Sequence, residues 1–168
     1  MDKKLFNQPC YDKEGNMLGW FSRSIAAACF VYCKDKNGEW RVLASERGPE
    51  AADHQGEWNC VCGYLDFDET IEQCAAREIS EECGLNVESY PMELVGINSS
   101  PSENRQNVTI RFRIIIADKT TDDFVFSKER NEGKEVGDIK WLSIDEIDQR
   151  KWAFGHEVLS KRFFPTKD

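Results

Sequence analysis

The chain has 168 residues, 40% of them hydrophobic, with 31 acidic against 22 basic side chains and a net charge of −9. That length suits one domain, residues 1–168, with a full core. The acidity argues against a nucleic-acid partner, which needs a basic face, but not against a small nucleotide, because a bound metal ion can supply local positive charge.

The opening run MDKKLFNQPC shows no apolar stretch ahead of a small-residue cleavage site, so no export signal is expected. Residues 25–33 form a short apolar run that predicts a strand and cannot span a bilayer. Residues 40–44 predict a second strand. Asn37-Gly38 between them is a tight-turn signal, since both residues readily take positive φ. Residues 47–56 are polar and turn-rich, a loop, and residues 58–62 return as a strand that feeds Gly63. A helix is predicted over 69–82, stopped by Gly84.

Residues 93–98 and 108–117 predict strands, the second alternating Thr109, Arg111 and Arg113 against Ile110, Phe112 and Ile114. A charged loop over 120–137 has a length that goes with function or mobility. Residues 139–142 predict a strand. Ser143 then caps a short helix, with Glu146 completing the capping box, and a last amphipathic helix is predicted over 154–163. No repeat or linker divides the chain. Strands with interspersed helices point to the α/β class, a mixed sheet between helices.

Seven cysteines without an export signal read as free thiols of a reducing cytoplasm. Cys29 with Cys33, and Cys60 with Cys62, lack CxxC-like zinc spacing and read as small buried hydrophobes.

The predicted helix over 69–82 carries carboxylates where a soluble helix should be apolar. At about 100° per residue, Glu78 and Glu82 fall within about 20° of Ile71, on the stripe that also holds Ala75. Glu81 flanks them. Unpaired buried carboxylates cost several kcal/mol each, so a cation held by Glu78, Glu81 and Glu82, with Arg77 beside it, is the expected solution. Oxygen-only ligands favour a hard cation such as Mg2+.

The same segment resembles the box of the Nudix hydrolase superfamily. Its specified positions are met by Gly63, Glu69, Arg77, Glu78, Ile79, Glu81, Glu82, Gly84 and Leu85, with the gaps the pattern requires. Family members commonly carry Pro-Gly where this chain has Val61-Cys62, a departure that bears on the loop beside the substrate rather than on the metal positions. The resemblance implies a Nudix-type α/β/α sandwich with a mixed sheet. It also implies Mg2+- or Mn2+-dependent hydrolysis of a nucleoside diphosphate linked to another moiety, such as ADP-ribose, a nucleotide sugar, a dinucleotide or a nucleoside triphosphate. Glu78 and Glu82 would be primary ligands and Glu81 would complete the site. Arg77 would clamp the carboxylates. Glu69, read in the first helical turn, would be structural and favour the positive end of the dipole.

The general base is either a box glutamate or one from the long loop, where Glu132 and Glu135 stand. Arg47, Arg105 and Arg113 are candidates for phosphate, against the plainer reading of solvated arginines. Trp58, Phe124 and Phe126 could stack on a base, with Trp58 otherwise a core residue. Of the two histidines, His54 and His156, the second lies in Trp-Ala-Phe-Gly-His, similar to a segment that some members keep near the nucleotide. Substrate binding is therefore expected at Arg47, Trp58, Gly63 and His156.

A homodimer in the cytoplasm, with no nucleic-acid or membrane partner, is the remaining expectation. The alternative function is a catalytically inactive nucleotide sensor or regulator on the same fold. An isoprenyl diphosphate isomerase is a third reading, without an obvious catalytic cysteine at Cys62 or Cys74. Ser99–Glu103 does not match the run that marks NADH diphosphatases downstream of the box.

Overall fold

The computed structural model describes residues 7–126 and 135–166, which leaves Glu132 outside the described residues. Its strands are β1 (Gln8–Tyr11), β2 (Met17–Phe21), β3 (Ser24–Lys34), β4 (Trp40–Arg47), β5 (Trp58–Asn59), β6 (Cys62–Tyr64), β7 (Met92–Asn98), β8 (Asn107–Thr120) and β9 (Val136–Leu142). The helices are α1 (Ile71–Cys83), α2 (Ile144–Ile147) and α3 (His156–Arg162).

The strand β3 organises the molecule because every residue from Ala26 to Cys33 is buried, as expected of a strand covered on both faces. It pairs in parallel with β8 and antiparallel with β4 and β6. The main sheet runs β5-β4-β3-β8-β7, with β9 added to β4. Alternation along β3 divides the core. Ala27, Cys29, Val31 and Cys33 meet Cys74, Ala75, Ile79 and Cys83 of α1. Ala28, Phe30 and Tyr32 meet Leu159 of α3, with Phe163 and Phe164 beyond it. A mixed sheet with a helix on each face is the architecture expected from the sequence.

Local differences have physical causes. The helix over 69–82 begins at Ile71, because Thr70 is the cap and Gln73 reciprocates its hydrogen bond. Glu69 therefore precedes the helix and is not in its first turn. The single strand expected over 58–62 is two, since Trp58-Asn59 pairs with β4 and Cys62–Tyr64 with β3. The last helix starts at His156 rather than 154, because Phe154 and Gly155 take φ of 59° and 68°. Gly38 turns the β3–β4 hairpin at φ 79°, and Ser143 and Glu146 form the expected capping box at α2.

The hairpin β1–β2 stands apart from the main sheet as a two-stranded sheet of its own. Leu18 and Trp20 on β2 are 70% and 62% exposed. All seven cysteines are free thiols, as expected. Among the described residues no helix is long and apolar enough to cross a membrane.

Candidate active site

The strand β6 brings Gly63 and Tyr64 against α1, where Arg77 acts as the hub. Its Nε donates to Glu69 Oε2 at 3.0 Å and its Nη2 to Glu69 Oε1 at 2.7 Å, a two-pronged grip. Nη1 donates to Glu78 Oε1 at 2.8 Å and to Glu81 Oε2 at 3.0 Å, and Nη2 also reaches the Tyr64 carbonyl at 3.0 Å. Glu69 accepts the Asp66 N–H as well. These bonds, with Arg77 first, hold its carboxyl down at about 2. Glu69 thus braces Arg77 from outside the helix, rather than sitting in its first turn.

Glu78 and Glu82 project one turn apart from the same side of α1. The Glu78 carboxyl lies against Gly63, where a Cβ would overlap it. Burial raises its pKa, against the pull of Arg77. Glu82 is recessed deeper, with Ser45 Oγ of β4 at 3.3 Å. Burial first, and the charge of Glu78 second, push its carboxyl up to about 8. Glu81 points outward to Arg77, 60% exposed.

Two like charges crowded into a recess are stabilised by a cation, and the donors are oxygens that suit Mg2+ or Mn2+. Glu78 and Glu82 fit that role on geometry. Among the described residues, however, no group of three or more His, Cys, Asp or Glu side chains is gathered closely enough to hold an ion, because Arg77 draws Glu81 and one Glu78 oxygen to itself.

Arg47 ends β4, two residues beyond Ser45. Its Nε and Nη2 bind the carbonyl and carboxylate of Asp53 at 2.9 and 2.8 Å, and its charge is felt by both Glu82 and His156. Glu135 sits close by, its carbonyl accepting the Gly48 N–H at 2.7 Å while Val136 pairs with Arg47. Trp58 and His156 are not brought to the carboxylates. Trp58 packs in the second core, capped by the Arg150 guanidinium at 4.9 Å. His156 is buried with its Nδ1 accepting the Cys60 N–H at 3.1 Å and its ring against Phe30. Of the softer candidates, Arg113 pairs with Glu93, Arg105 is exposed in the turn before β8, and Phe124 and Phe126 pack on Trp141.

An open cavity of about 640 Å³ on the other flank of α1 is lined by Gln73, Arg77 and Tyr90, but not by Glu78 or Glu82. Sequence reasoning missed Ser45, which only the pairing of β4 beside α1 reveals. It also gave no role to Phe154, whose ring meets those of His54 and His156 edge to face and lies under Arg47.

A family model described as the NUDIX domain matches residues 23–163, which takes in every element just described except the N-terminal hairpin. The chain belongs to the Nudix family. An oxidized purine nucleoside triphosphate hydrolase of Danio rerio is 31% identical over 103 residues, a match spanning 58% of this chain and 57% of that relative. The Nudix fold is shared with the NUDIX domain of Shewanella oneidensis NrtR, solved with ADP ribose, at TM-score 0.65 and 19% identity over 84% of this chain and 86% of that one. The Ap4A hydrolase of C. elegans superposes at TM-score 0.61 and 17% identity, covering 84% of this chain and 96% of its own.

Proposed function

We propose that this Nudix chain hydrolyses a phosphoric anhydride bond in a small nucleotide, with Mg2+ or Mn2+ held by Glu78 and Glu82 and completed by Glu81. The seating of the Glu78 carboxyl between Gly63 and Arg77, next to the recessed Glu82, carries this reading. It is a site built to hold carboxylates where α1 would otherwise bury apolar side chains. The intact box and the match to a triphosphate hydrolase support the same class.

When bound, the cation neutralises charge on the phosphate oxygens and lowers the pKa of a water. The chain's part is to hold its ligands in place. Arg77 fixes Glu78 and Glu81, and Glu69 fixes Arg77. Ser45 orients Glu82. Arg47, stiffened by Asp53, supplies positive charge for a substrate phosphate on the β4 side. Glu135, whose backbone carbonyl is tied to Gly48, is the loop carboxylate we assign to take a proton from the attacking water. The substrate is a nucleoside triphosphate, ADP-ribose, a nucleotide sugar or a dinucleotide.

The test is nucleotide and phosphate release from a panel of these compounds with Mg2+ or Mn2+, for the parent chain, Glu82→Gln and Glu135→Gln. Metal-dependent cleavage that falls about 100-fold or more in Glu82→Gln is expected. An inert parent chain whose melting temperature still rises with a nucleotide would replace the hydrolase with a sensor.

A further inference from the structure

Two groups of uncovered apolar side chains lie at the same end of the molecule. The first is one face of the β1–β2 hairpin. Pro9 pairs with Trp20 and, past a bulge, Tyr11 with Met17, so these side chains share that face with Leu18. Tyr11, Met17, Leu18 and Trp20 are between 52% and 70% exposed. Neither strand pairs with another element among the described residues, and a lone two-stranded hairpin is marginal in water. Neither strand carries a charged residue, in a chain that is 32% charged.

The second group lies on β7, which ends the main sheet as an edge strand. Leu94 pairs with Phe112 and Ile97 with Ile110, which turns both towards the α1 side of the sheet. Ile25, two residues before Ala27, shares that side. The helix packs over β3 and leaves Ile25, Leu94 and Ile97 exposed by 40%, 56% and 60%. An edge strand with uncovered apolar side chains is a surface on which another chain docks.

Arg23 sets the two groups side by side. Its guanidinium donates to the Ser99 and Asn104 carbonyls at 2.7 Å each and also to the Asn107 carbonyl. The hairpin therefore leaves the sheet beside the β7–β8 connection, without folding back over Ile25, Leu94 or Ile97.

We propose that the Leu18 and Trp20 face of the hairpin docks on the Ile25, Leu94 and Ile97 face of a second copy of this chain. Because both surfaces stand at one end, a single two-fold axis gives each hairpin the other copy's patch and closes the pair. At roughly 200 Å² for a fully exposed large side chain, these residues offer about 800 Å² of apolar surface per copy. That matches the roughly 800 Å² each partner contributes to a stable interface. The uncharged contact lets two chains of net charge −9 approach. The same charge disfavours an anionic lipid surface. Cys10 and Phe21 lie on the opposite face of the hairpin and stay outside the contact. The pairing does not depend on the hydrolase reading above.

Sedimentation velocity on the full chain tests this. At about 50 μM the parent chain is expected to run at twice its chain mass. Trp20→Ala on the hairpin and Ile97→Glu on the patch should each raise the dimer Kd about 30-fold or more, with far-UV circular dichroism unchanged. A benzophenone side chain placed at position 18, in a mixture of light and heavy-nitrogen chains, should crosslink to residues 92–98 of the other copy. That readout needs no disruptive variant. A monomeric parent chain at that concentration, a dimer untouched by either substitution, or crosslinks only within one chain or from hairpin to hairpin would each overturn the proposal. A monomer that floats with phosphatidylcholine vesicles would give the hairpin to a membrane instead.

Discussion

Gly63 and Glu78 occupy adjoining space so closely that a Cβ on the glycine would overlap the glutamate carboxyl. The clash is with the end of a flexible side chain, so Gly63→Ala should fold and evict Glu78 from its seat. The expected result is a melting temperature changed by no more than a few degrees and a Mg2+-dependent rate lowered at least about tenfold. A variant with parental activity would separate Gly63 from the chemistry.

Glu82 makes the metal-free protein sensitive to alkali. Its carboxyl titrates at 4.5 in the unfolded chain and at about 8 in the folded one. The folded state thus holds the proton more tightly. This contribution is fully present below about pH 4.5 and is lost as pH rises towards about 8. Denaturant melts in a chelator should show that decline in the parent chain and a flatter profile in Glu82→Gln. Added Mg2+ should restore stability at the alkaline end of the parent profile only.

The Arg77–Glu69 grip should behave as one unit. Lysine cannot reproduce a two-pronged guanidinium contact, so Arg77→Lys should lower the melting temperature by several degrees and weaken Mg2+ activation. Glu69→Gln should do the same to a smaller extent. The double variant should fall no further than Arg77→Lys alone, because the second change removes a partner already lost. Additive losses would show that the two act independently.

His156 sets an acid limit of a different origin. Burial depresses it to about 3, well below the ordinary 6.5. Both states are neutral above that ordinary value and the residue is then silent. Below it the unfolded chain takes up a proton that the folded chain refuses, so stability drains away as pH falls from 6.5 towards 3. The loss is on the order of a few kcal/mol. His156→Gln, compared with the parent chain over this range, should show a shallower acid slope. An unchanged slope would place the acid lability among the carboxylates instead.

The parts of this molecule that a reader of the sequence could find are those written in local spacing. The box, the Asn37-Gly38 turn, the Ser143–Glu146 cap and the run through β3 all reside within a few residues of their own cause. Thr70 and Gln73 also formed a legible cap, and reading it would have set Glu69 outside the helix. Ser45 beside Glu82 is a different kind of fact, fixed by β4 lying next to the helix. His156 reads as a nucleotide contact only through the likeness of residues 152–156 to a segment that some Nudix members keep near the nucleotide. In the fold it accepts a hydrogen bond from a backbone amide that would otherwise be buried without a partner. The β1–β2 hairpin escaped notice because it is exposed on both faces and so carries no alternation of apolar and polar residues.

That hairpin holds Cys10, the one exposed thiol of the seven. A disulfide reagent added to the native protein should therefore react in two regimes: one equivalent at the rate of a free small-molecule thiol, and the core cysteines only as fast as the sheet opens. The chain carries a built-in clock for its own unfolding, and a fluorophore placed on Cys10 would report the movements of the hairpin without disturbing the carboxylates or the sheet.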